Sequence, residues 1–338
     1  MAALPAEAQS WATPEVCFPK NLEVYEDTLT PFTLDDLQAA AQAIPNAAGR
    51  YWRVTSPEGA VSHLWGTMHV NDPRLLDLPD QVLGDIRAAR AVALEADFIF
   101  TTRDDYTSWA RADNIIRSDG LPSRFGLLGL PDDVNAWIRD RTEGLAWGAD
   151  APDYLTLAGL AQLILGDPCA DFAGGVYPNQ DSLIQTLGAI EGAEIIGLES
   201  PEDFLNTLSD PQNFNLTRAM IGVYGAYLNP TRTADSTATG YALYLQGQTG
   251  VSMLLDRAYI MAIYGEDQGR DWLELTNGYL LDDRNQTFVA SALPELNQGG
   301  VFIAVGNFHL PGEDGMIELL RGEGFRVERV ALPGEVAE

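Results

Sequence analysis

Hydrophobic and polar residues alternate in two short segments of the first quarter of the chain. Tyr51–Thr55 and Ser62–Gly66 have the two-residue period of half-buried strands. The segment Ser56–Gly59 between them contains Pro and Gly in positions typical of a turn. The pattern therefore predicts two strands separated by a turn.

Short apolar runs predict further strands. Ala91–Glu95 and Glu194–Leu198 are brief runs of the kind found in buried strands. The first run ends in Glu95, and Glu199 follows the second. At the end of the chain, strand Val301–Val305, helix Gly315–Arg321 and strand Phe325–Leu332 form the sequence pattern of a βαβ unit.

Helical spacing dominates the middle of the chain. Thr33 has the properties of an N-cap for a short helix through Ala43, and Pro79 lies at the start of a helical segment Leu78–Ala89. The clearer helices of the middle region are expected at Tyr154–Leu165, Asp181–Ile190, Thr217–Leu228, Thr237–Gln246 and Val251–Ile263.

These elements predict an α/β fold with a mixed sheet and a large helical insertion. We expect an N-terminal extension over residues 1–50 and a single α/β domain over residues 51–338. Residues 100–285 would form a mostly helical insertion that carries one core strand near residues 194–199. Two segments share the order strand, GxxH, Pro-containing loop, helix and strand, which predicts two βαβ-type halves, although ordinary α/β repetition gives the same order.

Composition excludes several classes of function. The formal charge of −29 repels phosphate backbones and anionic lipid, so we expect neither nucleic-acid binding nor binding to a membrane surface. The sequence contains no run of about 18 apolar residues, so we expect no membrane insertion. Lys20 is the only lysine, and the chain contains no Walker A loop, no G-x-S-x-G elbow and no H-E-x-x-H helix.

The two cysteines leave two interpretations open. Cys17 and Cys169 would form a disulfide if the protein is exported, whereas two independent buried thiols fit the sequence equally well. The first residues lack the basic and apolar regions of a signal peptide, so we expect an exported protein whose signal peptide is not part of this sequence.

Two of the three histidines lie in the same local context. His69 ends the segment Gly66-Thr67-Met68-His69, and His309 ends Gly306-Asn307-Phe308-His309. Each glycine follows a predicted strand and is expected to allow a sharp change of chain direction there. Ligands of open α/β sheets bind beyond the carboxyl ends of the strands, so both histidines are expected at one edge.

Two glutamates are predicted at the same edge. Glu95 ends one apolar strand and Glu199 follows another. Imidazole and carboxylate together are common ligands of a catalytic divalent metal, and a further carboxylate serves as a base. The less specific interpretation is that the histidines are structural and the glutamates form salt bridges, and His63, within a strand and outside the motif, is interpreted as structural.

The chain resembles the TraB/GumN family, which includes the Tiki-type metalloproteases. The resemblance rests on LWGTMHV, VALEAD, GLES, LLDDRN and VGNFHLPGEDGMIELLRGEGFRVERV, in this order, over roughly residues 51–330. It implies an EreA/ChaN-like α/β fold. It also implies that His69, Glu95 and His309 belong to a metal site and that Arg284 matches the characteristic arginine of the family.

The leading hypothesis is a metal-dependent hydrolase that acts on a peptide or another small molecule. His69, Glu95 and His309 would hold a divalent ion such as Mn, Co or Zn. Glu199 would be a base or further ligand, and Arg284 would bind a substrate carboxylate. The alternatives are a non-catalytic module that binds haem, metal or a peptide signal in the same cleft, and a metal-independent esterase-like hydrolase with a histidine base.

Overall fold

A single six-stranded sheet forms the centre of the molecule. The computed structural model describes residues 12–96, 125–169 and 179–336, so residues 1–11, 97–124, 170–178 and 337–338, with parts of the predicted N-terminal extension and insertion, lie outside the described residues. The strands are β1 Tyr51–Thr55, β2 Val61–Thr67, β3 Ala91–Leu94, β4 Glu194–Gly197, β5 Val301–Gly306 and β6 Arg326–Arg329.

The sheet is mixed, with the strand order β4-β3-β5-β2-β1-β6. Four adjacent strands, β4, β3, β5 and β2, are parallel, and β1 pairs antiparallel with both β2 and β6. The carboxyl ends of the four parallel strands therefore meet at one edge of the sheet. This arrangement confirms the α/β fold with a mixed sheet.

Helices cover the sheet and form a separate layer beside it. After the short helix α1 Pro14–Cys17, the helices in the described part of the chain are α2 Leu34–Ala41, α3 Pro73–Leu76, α4 Asp80–Ala88, α5 Asp132–Gly144, α6 Leu157–Leu165, α7 Gln180–Glu191, α8 Pro201–Ser209, α9 Phe214–Ala226, α10 Ala234–Leu245, α11 Thr249–Tyr264, α12 Glu266–Asn277, α13 Arg284–Gln298 and α14 Met316–Gly322, with a π-helical turn at Gly278–Asp283. None of them is both long and apolar enough to cross a bilayer.

The two predicted strand–helix–strand units are present and place their helices on opposite faces of the sheet. In the first unit, α4 packs with α7 on one face through Val82, Ile86 and Ile184. In the second unit, α14 packs with α13 on the other face through Ile317 and Phe288. The units interlock because β5 lies between β2 and β3.

The insertion is helical where it is described. Its core is built from α5, α6 and α9, with Val134, Ile164 and Ile221 buried against one another. Helices α11 and α12 close this core with Ile260 and Leu273. The strand β4 returns from the insertion to the edge of the sheet, next to β3.

The N-terminal region contains one predicted helix and is joined to the rest of the chain by a disulfide. Thr33 caps α2 through a reciprocal pair of hydrogen bonds with Asp36, as its sequence context predicted. Cys17 and Cys169 form a disulfide with an S–S distance of 2.05 Å. Of the two interpretations left open by the sequence, the structure therefore has the disulfide.

The last strand is shorter than predicted. The apolar pattern gave Phe325–Leu332, whereas β6 covers only Arg326–Arg329. The reason is the length of its partner, because β6 pairs with Trp52–Thr55 of β1 and has no further strand beside it.

Candidate active site

Four side chains converge at the carboxyl edge of the parallel strands. Glu95 directly follows β3, and Glu199 lies two residues beyond β4. His69 lies two residues beyond β2, and His309 ends a short 3-10 turn that follows β5. Because these strands are neighbours in the sheet, residues up to 240 positions apart in the sequence become neighbours in space.

Both imidazoles point one nitrogen at the same carboxylate oxygen. The Nε2 atom of His69 lies 3.7 Å from Oε1 of Glu95. The Nε2 atom of His309 lies 3.5 Å from that same oxygen. The backbone N–H of Gly306 also donates to Glu95 Oε1, at 2.7 Å, and so fixes the position of this oxygen.

The other nitrogen of each ring is held by a buried acceptor. Nδ1 of His69 lies 2.8 Å from Asp181 Oδ2, and the hydroxyl of Thr67 donates to the second oxygen of that carboxylate. Nδ1 of His309 lies 2.7 Å from Asn285 Oδ1, while the amide nitrogen of Asn285 donates to the carbonyl of Asp314. Both Nδ1 atoms therefore carry the proton of the hydrogen bond, which directs both Nε2 atoms at Glu95.

Gly306 forms the floor of this group of atoms. A Cβ atom at this position would lie 3.0 Å from Nε2 of His69 and 3.1 Å from Oε1 of Glu95. The two motif glycines do not have the predicted role in a sharp turn, since Gly306 has a φ of −51° and Gly66 is not among the glycines with positive φ. They are needed for space, because a Cβ at Gly66 would lie 2.3 Å from the side-chain oxygen of Asn307.

Arg284 joins the two glutamates. Its guanidinium donates to both carboxylate oxygens of Glu199, at 2.9 Å from Nε, and to Oε2 of Glu95 at 2.7 Å. The rings of Phe204 and Phe288 lie against the same guanidinium. Its ion-pair partners in the described residues are thus the site glutamates and not the neighbouring acidic residues.

The charges of the site stabilise one another. Burial opposes the charge on Glu95, but the guanidinium of Arg284, helped by the hydrogen bond from His69, outweighs it and holds the pKa of Glu95 well below its usual range. Burial lowers the pKa of His309 to about 3, so this ring is neutral at physiological pH. The carboxylate of Asp181 raises the pKa of His69 well above its usual range, although 54% of that side chain is exposed.

Glu199 has the opposite tendency to Glu95. Burial raises the pKa of Glu199, even though Arg284 donates hydrogen bonds to it. A carboxylate with a raised pKa is a better proton acceptor than an ordinary one. Two glutamates clamped by one arginine thus differ in how readily they take up a proton.

The site opens into a large cavity of about 1060 Å³. His69, Glu95, Glu199, Arg284 and His309 all line it. The other walls come largely from the helical insertion and include aromatic side chains, among them Phe204, Tyr224, Tyr227, Tyr244, Tyr259 and Phe308. The cavity is therefore a cleft between the sheet edge and the insertion.

His69, Glu95 and His309 are the residues that could hold a divalent cation. Within the described residues, no three His, Cys, Asp or Glu side chains already stand in the arrangement of a complete metal site. The distances of 3.5 and 3.7 Å from Glu95 to the two Nε2 atoms are nevertheless only slightly longer than the separation of about 3.0–3.4 Å expected between neighbouring ligands of one metal ion. Two nitrogen lone pairs and a carboxylate facing one another also favour a cation between them.

Comparison with known proteins gives the family. The sequence profile of the TraB/PrgY/gumN family matches residues 51–329. The chain belongs to this family. No curated protein and no solved structure matches the chain.

Two residues of the site were given no role from the sequence, and Gly306 was given a different one. Asp181 and Asn285 hold the histidines, and Gly306 leaves space between them. Nothing in the local sequence pattern around Asp181 connects it with His69, 112 positions away. His63 lies outside the group, where it stacks on Tyr51 and approaches Asp85, in agreement with the structural interpretation.

Proposed function

We propose that this protein is a metal-dependent hydrolase that acts on peptide-type substrates. His69, Glu95 and His309 would hold a divalent cation such as Mn²⁺, Co²⁺ or Zn²⁺. Such a cation supplies Lewis-acid chemistry, since it polarises a carbonyl group and lowers the pKa of water. The family is shared with the Tiki-type metalloproteases that the sequence resembles, which supports the same reaction class.

The observation that carries the proposal is the orientation of the two imidazoles. Each ring uses Nδ1 for a hydrogen bond to a buried side chain and directs Nε2 at Glu95. Metal-binding histidines have this arrangement, in which an acceptor behind the ring fixes its tautomer and its direction. A purely structural histidine would have no need of a second histidine aimed at the same carboxylate.

Glu199 and Arg284 would have different roles in the reaction. We propose Glu199 as the proton acceptor, because burial raises the pKa of its carboxyl group and it lines the cavity. Arg284 would keep Glu95 ionised and aligned through its contact at 2.7 Å. The direct role of Arg284 as an anchor for a substrate carboxylate stays a prediction, since most of its donors are used by the two glutamates.

The shape of the cavity supports a peptide-type substrate. A volume of about 1060 Å³ holds several amino-acid residues, and its walls are rich in Tyr and Phe. Aromatic walls of this kind bind the apolar side chains of a peptide. The disulfide between Cys17 and Cys169 supports maturation in an oxidising compartment, and we therefore propose an exported protein.

Turnover of a peptide library with and without metal tests the proposal. We expect hydrolysis that EDTA abolishes and that Mn²⁺, Co²⁺ or Zn²⁺ restores. His69→Ala and His309→Ala should lower both metal affinity and turnover, because each removes a ligand. His63→Ala is the matched control, since His63 lies outside the site, and it should leave both quantities near the wild-type value.

A second candidate, a metal-independent hydrolase, rests on the pair formed by His69 and Asp181. An imidazole held at 2.8 Å by a carboxylate is also the arrangement of a general base. Turnover that resists chelation and depends on His69 but not on His309 would support this alternative. Unchanged metal binding in both histidine variants would refute the ligand assignment.

Metal binding without turnover of any peptide would support the other alternative, a non-catalytic module that binds a ligand in the same cleft.

A further inference from the structure

A carboxylate without a cationic partner lies in the wall of the same cavity. Asp256, on α11, is partly buried, and Oδ2 accepts a hydrogen bond of 2.6 Å from the hydroxyl of Tyr227. Within the described residues, this carboxylate forms no salt bridge, and Tyr227 is its one side-chain donor. A partly buried carboxylate without an ion-pair partner is less favourable than a fully solvated one, so its presence in a cavity wall calls for an explanation.

Three tyrosine rings pack against one another beside this carboxylate, and the middle one, Tyr227, donates the hydrogen bond to it. The ring of Tyr227 stacks on Tyr259 with centroids 6.0 Å apart and an angle of 16° between the planes. Tyr224 meets Tyr227 edge to face, with centroids 5.7 Å apart and an angle of 81°. All three rings and Asp256 line the cavity. Aromatic faces around a carboxylate form the usual environment for a bound organic cation.

The tyrosines are fixed in place by the helices that carry them. The hydroxyl of Tyr259 donates to the carbonyl of Ala226 at 2.7 Å, and that of Tyr227 is bound to Asp256. Both bonds join α11 to the end of α9. Two of the three rings are therefore held in place before a ligand binds, which favours binding.

The group of four side chains and the candidate active site share one cavity. Asp256 and the three tyrosines line it together with Glu95 and Arg284. A single ligand in this cavity therefore has access to both groups.

The charges of the surrounding wall also favour a cation. Asp27 and Asp235 line the same cavity, and Arg232 is the basic residue on this side. The guanidinium of Arg232 donates from Nε to the hydroxyl of Thr237 at 3.2 Å. The remaining arginine of the cavity, Arg284, is already paired with Glu95 and Glu199.

We propose that Asp256, Tyr224, Tyr227 and Tyr259 form a subsite for a cationic nitrogen group of the substrate. The ligand would be a peptide-type molecule with a primary ammonium or guanidinium group. This inference rests on the proposed hydrolase for the reaction, but the binding of the cation is independent of it. Burial raises the pKa of Asp256 to about 6, and a bound cation would stabilise the ionised form.

Calorimetric titration with tripeptide amides tests the subsite. The probes are acetyl-Lys-Ala-Ala-amide, free-amine Nle-Ala-Ala-amide and acetyl-Nle-Ala-Ala-amide, which carry a side-chain cation, an α-ammonium cation and no cation. Titrations are made in EDTA, so that they do not depend on a metal or on hydrolysis. We expect at least one cationic probe to bind about 10-fold or more tightly than the neutral probe. The stronger of the two cationic probes identifies the position of the cation in the substrate.

The variants assign this preference to the subsite. Asp256→Asn keeps an acceptor for Tyr227 and removes the charge, so all three probes should bind with nearly equal affinity. Asp267→Asn removes the same charge from an exposed position on α12 and should retain the wild-type preference. Tyr224→Leu removes one ring and should reduce the preference about 3-fold or more, even if Asp256→Asn does not fold.

Equal binding of all three probes by the wild type would overturn the proposal, as would a preference that persists in Asp256→Asn. Failure of every probe to bind at millimolar concentration would also overturn it. A clear preference for a cation in a protein that hydrolyses no peptide would support the subsite and count against the hydrolase. Hydrolysis without any preference would support the hydrolase and count against the subsite.

Discussion

At the level of single residues, the proposed metal site depends most directly on the absence of a side chain at Gly306. A Cβ atom there would approach both His69 and Glu95 to about the length of a hydrogen bond, so Gly306→Ala would fill the place proposed for the cation. We expect metal affinity to fall by about 100-fold or more, because two of the three ligands are displaced. Calorimetric metal titration measures this loss.

Gly84→Ala is the control for this prediction. Gly84 lies within α4, and a Cβ there meets no atom within 4 Å. The control should keep its metal affinity and gain a little stability from the higher helix propensity of alanine. Wild-type metal affinity in Gly306→Ala would show that the cation does not lie between His69 and Glu95.

Asp256 gives a prediction about stability and pH. Burial raises the pKa of its carboxyl group in the folded protein to about 6, above the usual value of 3.8. The folded state is therefore penalised for this charge above pH 6, and the penalty disappears as pH falls below about 4. Asp256→Asn should raise the free energy of unfolding at pH 7.5 by about 1–3 kcal/mol and leave it unchanged near pH 3.5. Denaturant unfolding at both pH values checks this, and a variant that is less stable at pH 7.5 would contradict it.

Arg284 gives a prediction about turnover, because it contacts both glutamates of the site. Its planar guanidinium contacts Glu95 and Glu199 at once, which a lysine ammonium is too compact to do. Arg284→Lys should therefore reduce turnover per folded molecule by about 10–100-fold. Turnover and melting temperature should be measured on the same samples. Normal turnover with a lowered melting temperature would make Arg284 purely structural.

At the scale of elements, two helices begin at the active site and hold its histidines. Asp181 is the second residue of α7, and Asn285 is the second residue of α13. Asp181→Ala and Asn285→Ala should each lower metal affinity by about 10–100-fold. Each substitution removes the acceptor that fixes the tautomer of one imidazole, His69 or His309. Asn213→Ala removes a comparable side-chain bond to a carbonyl far from the site and should have no such effect. Wild-type metal affinity in both Asp181→Ala and Asn285→Ala would show that these two residues do not support the metal site.

The elements also show what the sequence predicts and why it stops there. The alternation of Tyr51–Thr55 and the apolar run Val301–Val305 report burial directly, and both strands were predicted correctly. Helix α13 was not assigned, since Pro294 lies inside it and argues against a helix. The histidines were found through a repeated local motif. Their acceptors Asp181 and Asn285 were not, because only the folded chain brings them together.

At the scale of the whole molecule, the disulfide joins segments that are far apart in the sequence. Cys17 and Cys169 are 152 positions apart, so the bond restricts a large loop of the unfolded chain. Replacing both cysteines with serine should lower the free energy of unfolding by about 2–5 kcal/mol. Denaturant unfolding of the oxidised wild type and the double variant measures this difference. Equal stability would mean that the bond has no thermodynamic role.

The central claim is that His69, Glu95 and His309 hold one divalent cation. Anomalous diffraction from a crystal soaked in Mn²⁺ tests it most directly. We expect a single strong peak in the anomalous difference map, about 2.0–2.3 Å from Nε2 of both histidines and from a carboxylate oxygen of Glu95. Manganese bound elsewhere, or no peak between the two imidazoles, would contradict the proposed metal site.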